Sequence, residues 1–205
     1  MKSTDTKIIL GFVGEMACGK GTAAAYCKKK YGAPSLRFST ILRETLDRVY
    51  LPHTRNNMIY LSETLREHFG DDVLANAMAE DVKKEKKQFM TVDGIRRPAD
   101  IVHLKMFPHF YLVAIEVEAR TRFERIRKRR ENVDDATKTW AQFQKDSKRS
   151  TEITIRGVMK KADFVIDNNG TFKEFYTQID DIIKTIKQSG RGAQRNAKRT
   201  VARKQ

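Results

Sequence analysis

Short apolar runs alternate along this chain with longer segments in which apolar residues recur every three or four positions. Short runs that end at turn-forming or polar residues predict buried strands, and the longer periodic segments predict amphipathic helices. The predicted strands are residues 7–13, 35–38, 88–93, 111–117 and 164–167. Strands that alternate with helices form a mostly parallel sheet covered on both faces, so the pattern predicts a three-layer α/β fold with a five-stranded parallel sheet.

The helix signals are strongest near the end of the chain. Thr171 and Glu174 have the spacing of a capping box, and apolar residues follow at helical spacing as far as Ile186. Earlier, Ser39 or Thr40 is the expected N-cap of a helix that runs to about residue 50. Residues 131–160 are polar and also predict helix.

The last residues differ in composition from the rest of the chain. Residues 189–205 carry six basic residues, no acidic residue and almost no large apolar side chain. Such a segment cannot support a core, so we expect a single domain over residues 1–188 and a disordered basic tail after it.

The formal net charge of the 205-residue chain is +15, and the six basic residues of the tail account for less than half of it. A basic body is typical of proteins that handle anionic nucleotides or nucleic acid. The two cysteines and four histidines lack the spacing of a disulfide framework or a zinc site. No apolar run approaches bilayer length and no secretory signal is visible, so we expect a cytoplasmic protein with no membrane partner.

A candidate phosphate-binding loop (P-loop) follows the first predicted strand and precedes a helix, the context that such a loop requires. Its residues are Gly14, Glu15, Met16, Ala17, Cys18, Gly19, Lys20, Gly21 and Thr22. Glycines allow backbone N–H groups to surround a phosphate, a lysine neutralises its charge, and the helix N-terminus adds a partial positive charge. The threonine hydroxyl is the expected magnesium ligand. A Gly-rich turn that binds nothing is the competing interpretation.

Two features of the loop depart from the general pattern. Gly21 separates Lys20 from Thr22, and this Gly-Lys-Gly-Thr ending resembles that of adenylate kinases. Ala17 stands where that branch has glycine. Glu15 is an unusual neighbour for phosphates, and we expect its side chain to point outward.

Two later segments resemble nucleoside-monophosphate kinases on their acceptor side. The segment 38–43 contains Ser39, Thr40 and Arg43 and is similar to the Leu-Arg segment whose arginine holds the acceptor phosphate. The segment Asp93, Gly94, Ile95, Arg96 and Arg97 is similar to Asp-Gly-Phe-Pro-Arg. The resemblance implies that Asp93 orders magnesium-bound water and that Arg96 or Arg97 binds the acceptor. The competing interpretations are a strand-ending carboxylate for Asp93 and a solvated helix residue for Arg43.

The predicted helix 119–130 resembles the segment that leads into the lid of adenylate kinases. The resemblance implies a small helical lid over about residues 131–157, with Arg125 binding ATP and Arg129 and Arg149 reaching the transferred phosphoryl group. Arg122, Arg125 and Arg129 share one helix face, and a solvated basic face explains two of the three equally well.

A broader likeness covers nearly the whole body. The segments 121–125, 162–163 and 170–175, with Trp140 and Phe143, resemble an archaeal family of dephospho-CoA-kinase-related or adenylate-kinase-like proteins. The resemblance implies a P-loop kinase fold that uses ATP and Mg²⁺, with a small phosphorylated nucleotide as acceptor, as a monomer or homodimer.

Three functions follow from these patterns. We expect transfer of the γ-phosphoryl of MgATP to a nucleoside monophosphate or to dephospho-CoA, mainly by positioning and by cations. One alternative is a nucleic-acid-associated ATPase, which the basic body and tail favour. The other is a regulatory P-loop protein that binds ATP without a small-molecule acceptor.

Overall fold

The computed structural model describes residues 7–129, 136–148 and 150–202, with the backbone alone at residues 55, 129, 150–152 and 189–202. The chain divides into two compact units, Met1–Asn169 and Gly170–Gln205. The single domain over 1–188 and the lid over 131–157 therefore stay predictions.

The first unit is built on one parallel sheet of five strands in the order β2-β3-β1-β4-β5. The strands are β1 (Ile8–Val13), β2 (Ser35–Arg37), β3 (Phe89–Asp93), β4 (Phe110–Glu116) and β5 (Phe164–Asp167). All five predicted strands are confirmed, with ends shifted by one residue at most. Short apolar runs bounded by glycine or charged residues are a local signal, which explains why the sequence shows them clearly.

Seven helices in the described part of the first unit connect and cover these strands. They are α1 (Lys20–Tyr31), α2 (Phe38–Arg48), α3 (Arg55–Phe69), α4 (Val73–Lys84), α5 (Ala119–Arg129), α6 (Trp140–Ser147) and α7 (Ser150–Met159). The chain also forms short 3₁₀ helices at Pro98–Ile101 and Leu104–Met106. The three-layer α/β prediction is confirmed. Within the described residues, no helix is long and apolar enough to cross a membrane.

The predicted N-cap of α2 is wrong. The helix already begins at Phe38, its N-cap residue is Arg37, and no side chain caps it. Phe38 is buried, so packing of this aromatic ring fixes the helix start ahead of the hydroxyl residues Ser39 and Thr40.

The main core packs the centre of the sheet between helices. Ile9, Val13, Met90 and Leu112 of the central strands share one buried cluster with α4 and α7. Burial of one such side chain stabilises the fold by about 1.5–3 kcal/mol. Because β1 is buried along its length, the position of the loop that begins at Gly14 is fixed at its first residue.

The second unit is the helix α8 (Phe172–Ala202), which begins with the predicted capping box. Phe175, Ile179, Ile183 and Ile186 are buried, which confirms the predicted apolar face. The helical backbone continues through residues 189–202, and the predicted disordered tail over 189–205 stays a prediction. Alanine, glutamine, lysine and arginine are good helix formers, so the lack of large apolar side chains does not prevent a helix there.

Candidate functional site

The order of the strands places a crevice at the carboxyl end of β1. The chain leaves β1 toward β3 and β2 on one side and reaches β4 and β5 on the other, so the connections diverge at β1. Ligands of open parallel sheets bind at such a divergence, outside the carboxyl ends of the strands. Gly14 follows β1 directly, and Asp93 ends the neighbouring strand β3.

The backbone of the loop after β1 has the tight conformation that a phosphate cradle needs. A side chain at Gly14 would place its Cβ 2.5 Å from Cys18 Sγ and 2.7 Å from the carbonyl oxygen of Ile115, so only glycine fits. Gly19 has φ 107° as the N-cap of α1. Ala17 has φ 61°, a left-handed conformation that favours glycine and costs alanine about 1–2 kcal/mol.

The ammonium group of Lys20 is held against this loop. Its Nζ donates to the carbonyl oxygens of Gly14 at 2.6 Å and Glu15 at 3.2 Å, and it lies 3.6 Å from Cys18 Sγ. The carbonyl of Cys18 accepts a hydrogen bond from the buried amide of Asn168 at 2.9 Å. The loop is thus fixed both from within and from the segment after β5.

The expectation that Glu15 points outward is wrong. Its Oε2 lies 3.1 Å from Arg122 Nη2, and its Oε1 accepts from Arg156 Nη2 at 2.8 Å and Nε at 3.0 Å. The two arginines come from α5 and α7. A carboxylate beside two guanidinium groups gains more from pairing than from exposure to water. Sequence reasoning missed Arg156 altogether.

An aromatic cluster supports the loop on its other side. Phe123 of α5 and Phe143 of α6 pack together with Trp140, and the loop residues Met16 and Ala17 pack against them. The rings of Trp140 and Phe143 stack with centroids 5.3 Å apart. This packing joins the loop to helices α5 and α6, so movement of these helices affects the loop directly.

Asp93 occupies the position predicted for it at the end of β3. Its Oδ1 accepts from the backbone N–H of Gly94 at 2.7 Å, and its Oδ2 lies 3.8 Å from Arg37 Nε. Gly94 has φ 92°. Arg37 ends β2 opposite Asp93 and was not predicted as a site residue. Thr22 lies in the first turn of α1, which follows β1. Its hydroxyl and the carboxylate of Asp93 therefore come after β1 and at the end of β3, which are adjacent parallel strands.

The segment after Asp93 is organised by a buried carboxylate. Asp100 Oδ2 accepts from the backbone N–H groups of Arg96 at 2.8 Å and Arg97 at 2.9 Å. Its Oδ1 pairs with Arg66 Nη2 of α3 at 2.8 Å, and Arg66 also donates to the carbonyl of Asp71. Neither Asp100 nor Arg66 was predicted. An acid three residues after Arg97 was the available signal for Asp100, while nothing in the sequence marks Arg66.

The predicted acceptor residues lie on one side of the loop but are not closely joined. Arg43 is exposed and donates from Nη1 to Ser39 Oγ at 2.8 Å, one turn earlier on α2. Thr40 and Arg96 are also exposed, whereas Arg97 is half-buried. The structure therefore does not select one of these arginines as the acceptor ligand.

The structure describes the side chains of only some of the arginines predicted on the ATP side. Arg125 donates to the carbonyl of Asn168 at 2.8 Å and so joins α5 to the segment that contacts the loop. Arg122 is buried and is not part of a solvated face. Arg129 ends α5, but its side chain lies outside the described part of the structure. Arg149 also lies outside the described residues.

The donor set suits an anion better than a chelated metal. In the part of the chain that the structure describes, no group of three or more His, Cys, Asp or Glu side chains could hold a metal ion. A magnesium ion takes few protein ligands and completes its shell with water and phosphate oxygens. Thr22 and Asp93 fit that role, while the loop and Lys20 fit a phosphate.

Known proteins share this fold. A shikimate kinase from Bacteroides thetaiotaomicron superimposes with a TM-score of 0.59 at 11% identity, over 88% of this chain and 98% of that chain. A shikimate kinase from Acinetobacter baumannii, solved in complex with shikimate, gives 0.53 at 14% identity, over 92% and 97%. Residues 13–144 match the family model of the AAA domain. Together these matches define the class as a P-loop protein with a kinase-like fold.

Sequence relatives specify the family further. The UPF0200 protein of Pyrococcus abyssi is 30% identical over 184 residues, which cover 87% of this chain and 97% of that protein. The UPF0200 protein of Pyrococcus horikoshii is 29% identical over the same length and shares. The chain belongs to the AAA domain family and to the UPF0200 family.

Proposed function

We propose that this protein is an ATP-dependent phosphotransferase that moves the γ-phosphoryl group of MgATP to a small nucleotide-type acceptor, either a nucleoside monophosphate or dephospho-CoA. The observation that carries the proposal is Lys20, held against a left-handed, glycine-capped loop at the end of a buried strand, with Asp93 ending the adjacent strand. The resemblance of the acceptor-side segments to nucleotide kinases supports the acceptor class.

On the ATP side, this chain supplies cations and oriented N–H groups. Lys20 and the amides of the loop bind the β- and γ-phosphates, and the N-terminus of α1 adds its partial charge. Thr22 and Asp93 hold the magnesium shell. A magnesium ion bound there would supply positive charge to neutralise the leaving group. Because the transition state spreads charge over several oxygens, fixed donors stabilise it without rearranging.

On the acceptor side, Arg43 and either Arg96 or Arg97 bind the acceptor phosphate, with Ser39, Thr40 and Gly94 beside it. The buried Asp100 supports this role because it fixes the backbone of both Arg96 and Arg97. Arg37 adds a cation next to Asp93. A phosphate acceptor needs no strong general base, whereas a hydroxyl acceptor does, and Asp93 is then the candidate.

Arg125 holds the segment that contains Asn168 next to the bound ATP. Arg129 and Arg149 reach the transferred phosphoryl group when the lid over residues 131–157 closes. Closure excludes water, which strengthens each charge interaction in the site and suppresses hydrolysis of ATP.

The test is ADP release from MgATP, measured by a coupled assay against a panel of nucleoside monophosphates and dephospho-CoA. We expect one acceptor of this panel to stimulate ADP release at least about tenfold over the rate with ATP alone, as positioning of the acceptor requires. A rate of ADP release that no acceptor changes would contradict the proposal.

A nucleic-acid-associated ATPase is the second candidate, and one observation favours it. The chain carries a net charge of +15, and the helix α8 continues into the basic residues 189–202. Salt-titrated RNA and DNA binding, with and without residues 189–205, separates the two functions. Tight binding that survives removal of the tail, with ATP hydrolysis stimulated by nucleic acid, supports this second candidate.

A further inference from the structure

Glu15 is the one acidic residue of the phosphate loop, and it binds two arginines through different oxygens. Arg122 contacts Oε2, and Arg156 contacts Oε1 through both Nε and Nη2. Each oxygen thus carries its own cation. If Arg156 leaves Glu15, Arg122 still neutralises the carboxylate, so the loop does not acquire an uncompensated charge.

The two arginines are fixed to different degrees. The side chain of Arg122 is 4% exposed, lies over the ring of Phe143, and donates from Nε to the carbonyl of Val117 at 3.2 Å. The side chain of Arg156 is 49% exposed, and Arg156 also donates a long hydrogen bond of 3.3 Å to the carbonyl of Ser147. Release of Arg156 therefore costs little desolvation energy, whereas release of Arg122 costs much more.

Helix α7 itself is anchored beside Arg156. Ile155 and Val158 are buried in the main core together with Ile9 and Met90. The backbone that carries Arg156 is therefore fixed, and a change of partner needs only rotation of a long side chain. Side-chain rotation of exposed residues is fast, on a timescale of about picoseconds to nanoseconds.

A guanidinium edge that holds a carboxylate can also hold a phosphate. The Nε and Nη2 groups of Arg156 both donate to one carboxylate oxygen of Glu15, and a phosphate oxygen can accept the same two donors. Arg156 presents this edge to a side chain of the phosphate loop itself, whose main chain also contacts Lys20 at 3.2 Å. A triphosphate bound to this loop places phosphate oxygens next to Glu15, the present partner of Arg156.

We propose that Arg156 is a phosphate-binding residue of this site, and that Glu15 is its competing partner within the loop. When ATP binds, phosphate oxygens replace the Glu15 carboxylate on the Nε and Nη2 edge of Arg156, while Arg122 stays on Glu15. The inference rests on the proposed function only in assuming that the loop binds ATP. The resemblance to nucleotide kinases did not identify Arg156. Glu15 then lowers ATP affinity, since ATP must displace it from Arg156.

The test is equilibrium binding of MgATP, measured by titration calorimetry, on four proteins: wild type, Glu15→Gln, Arg156→Ala and the double variant. We expect Glu15→Gln to tighten binding severalfold, because the amide holds Arg156 less strongly. Arg156→Ala weakens binding about tenfold, the effect of one charge-assisted pair of hydrogen bonds.

The double variant decides between two roles of Arg156. If Arg156 binds phosphate, Arg156→Ala weakens MgATP binding also in the Glu15→Gln background. If Arg156 serves only to neutralise Glu15, it has no effect in that background, and this result would overturn the inference. Weaker binding by Glu15→Gln alone, in a protein with an unchanged melting temperature, would overturn it as well.

Arg48→Ala is the matched control, because Arg48 is an exposed arginine in the last turn of α2. We expect no change of MgATP affinity in this variant. Melting temperatures of all variants separate loss of fold from loss of binding. Since the readout is binding, it is independent of phosphoryl transfer: binding without transfer to any acceptor contradicts the proposed function and leaves this inference intact.

Discussion

The phosphate loop and the acceptor side lie at the same edge of the sheet, but they hold their charged groups in different ways. Around the loop, Lys20 contacts two carbonyl oxygens, and Glu15 contacts two arginines at 2.8–3.1 Å. On the acceptor side, Arg43 is exposed, and it donates a hydrogen bond to Ser39 on its own helix. The backbone beneath the acceptor arginines is fixed by Asp100, but their side chains are not.

This difference corresponds to what each side must bind under the proposed function. A triphosphate is the same ligand in every turnover, so cations positioned in advance stabilise it without an ordering cost. Exposed arginines on fixed backbone can adapt to the shape of an acceptor. This contrast between fixed and exposed cations explains why the sequence motifs indicate ATP as the phosphate donor. It also explains why they do not distinguish a nucleoside monophosphate from dephospho-CoA as the acceptor.

The largest expected effect concerns the fixed backbone of the acceptor side. Asp100→Ala leaves the buried Arg66 without its carboxylate and two backbone N–H groups without their acceptor. We expect the free energy of unfolding to fall by about 3–5 kcal/mol, as measured by urea denaturation. Glu80→Ala is the control, since Glu80 pairs with Lys83 at the surface and its loss should change stability little. Equal stability of the two variants would show that Asp100 does not organise this side.

The next effect concerns the carboxylate between the two sides. Asp93→Asn keeps the size of the side chain but removes the charge that we propose holds the magnesium shell. We expect kcat for phosphoryl transfer to fall by about 10²–10³, with little change of the melting temperature. Asp181→Asn, an exposed position on α8, should leave kcat unchanged. Full activity of Asp93→Asn would remove Asp93 from the site.

A smaller effect is expected from the exposed acceptor arginine. Arg43→Ala should raise the KM for the acceptor about tenfold, because one charge-assisted contact to its phosphate is lost. The KM for ATP should not change, and this split separates a binding role from a structural one. Arg48→Ala, at the exposed end of the same helix, is the control. A parallel rise of both KM values in Arg43→Ala would place Arg43 outside the acceptor site.

The smallest effect concerns the backbone of the phosphate loop. Ala17→Gly relieves the left-handed conformation at φ 61°, and this gain exceeds the entropy that glycine adds to the unfolded chain. We expect the free energy of unfolding to rise by less than about 1 kcal/mol. Ala25→Gly, at an exposed position inside α1, should instead lower it by about 1 kcal/mol. A loss of stability in both variants would show that Ala17 is not strained.

The sequence predicts the features that are local. The five strands, the loop from Gly14 to Thr22 and the position of Asp93 all follow from short patterns, since a strand and a glycine-rich turn are determined by neighbouring residues. The contacts that organise the site join distant residues. Arg66 and Asp100 are 34 positions apart, and Glu15 and Arg156 are 141 apart. Neither pair has a local signal, so only the folded chain shows them.

The central claim is that Lys20 binds the phosphates of ATP for transfer, and one comparison tests it most directly. The rate of ADP release, with the best acceptor of the panel, is measured for Lys20→Ala and for Lys28→Ala, which removes an exposed lysine near the end of the same helix. We predict that Lys20→Ala loses at least about 10³-fold in rate with an unchanged circular dichroism spectrum, and that Lys28→Ala keeps the wild-type rate. Wild-type turnover by a folded Lys20→Ala protein would contradict the account.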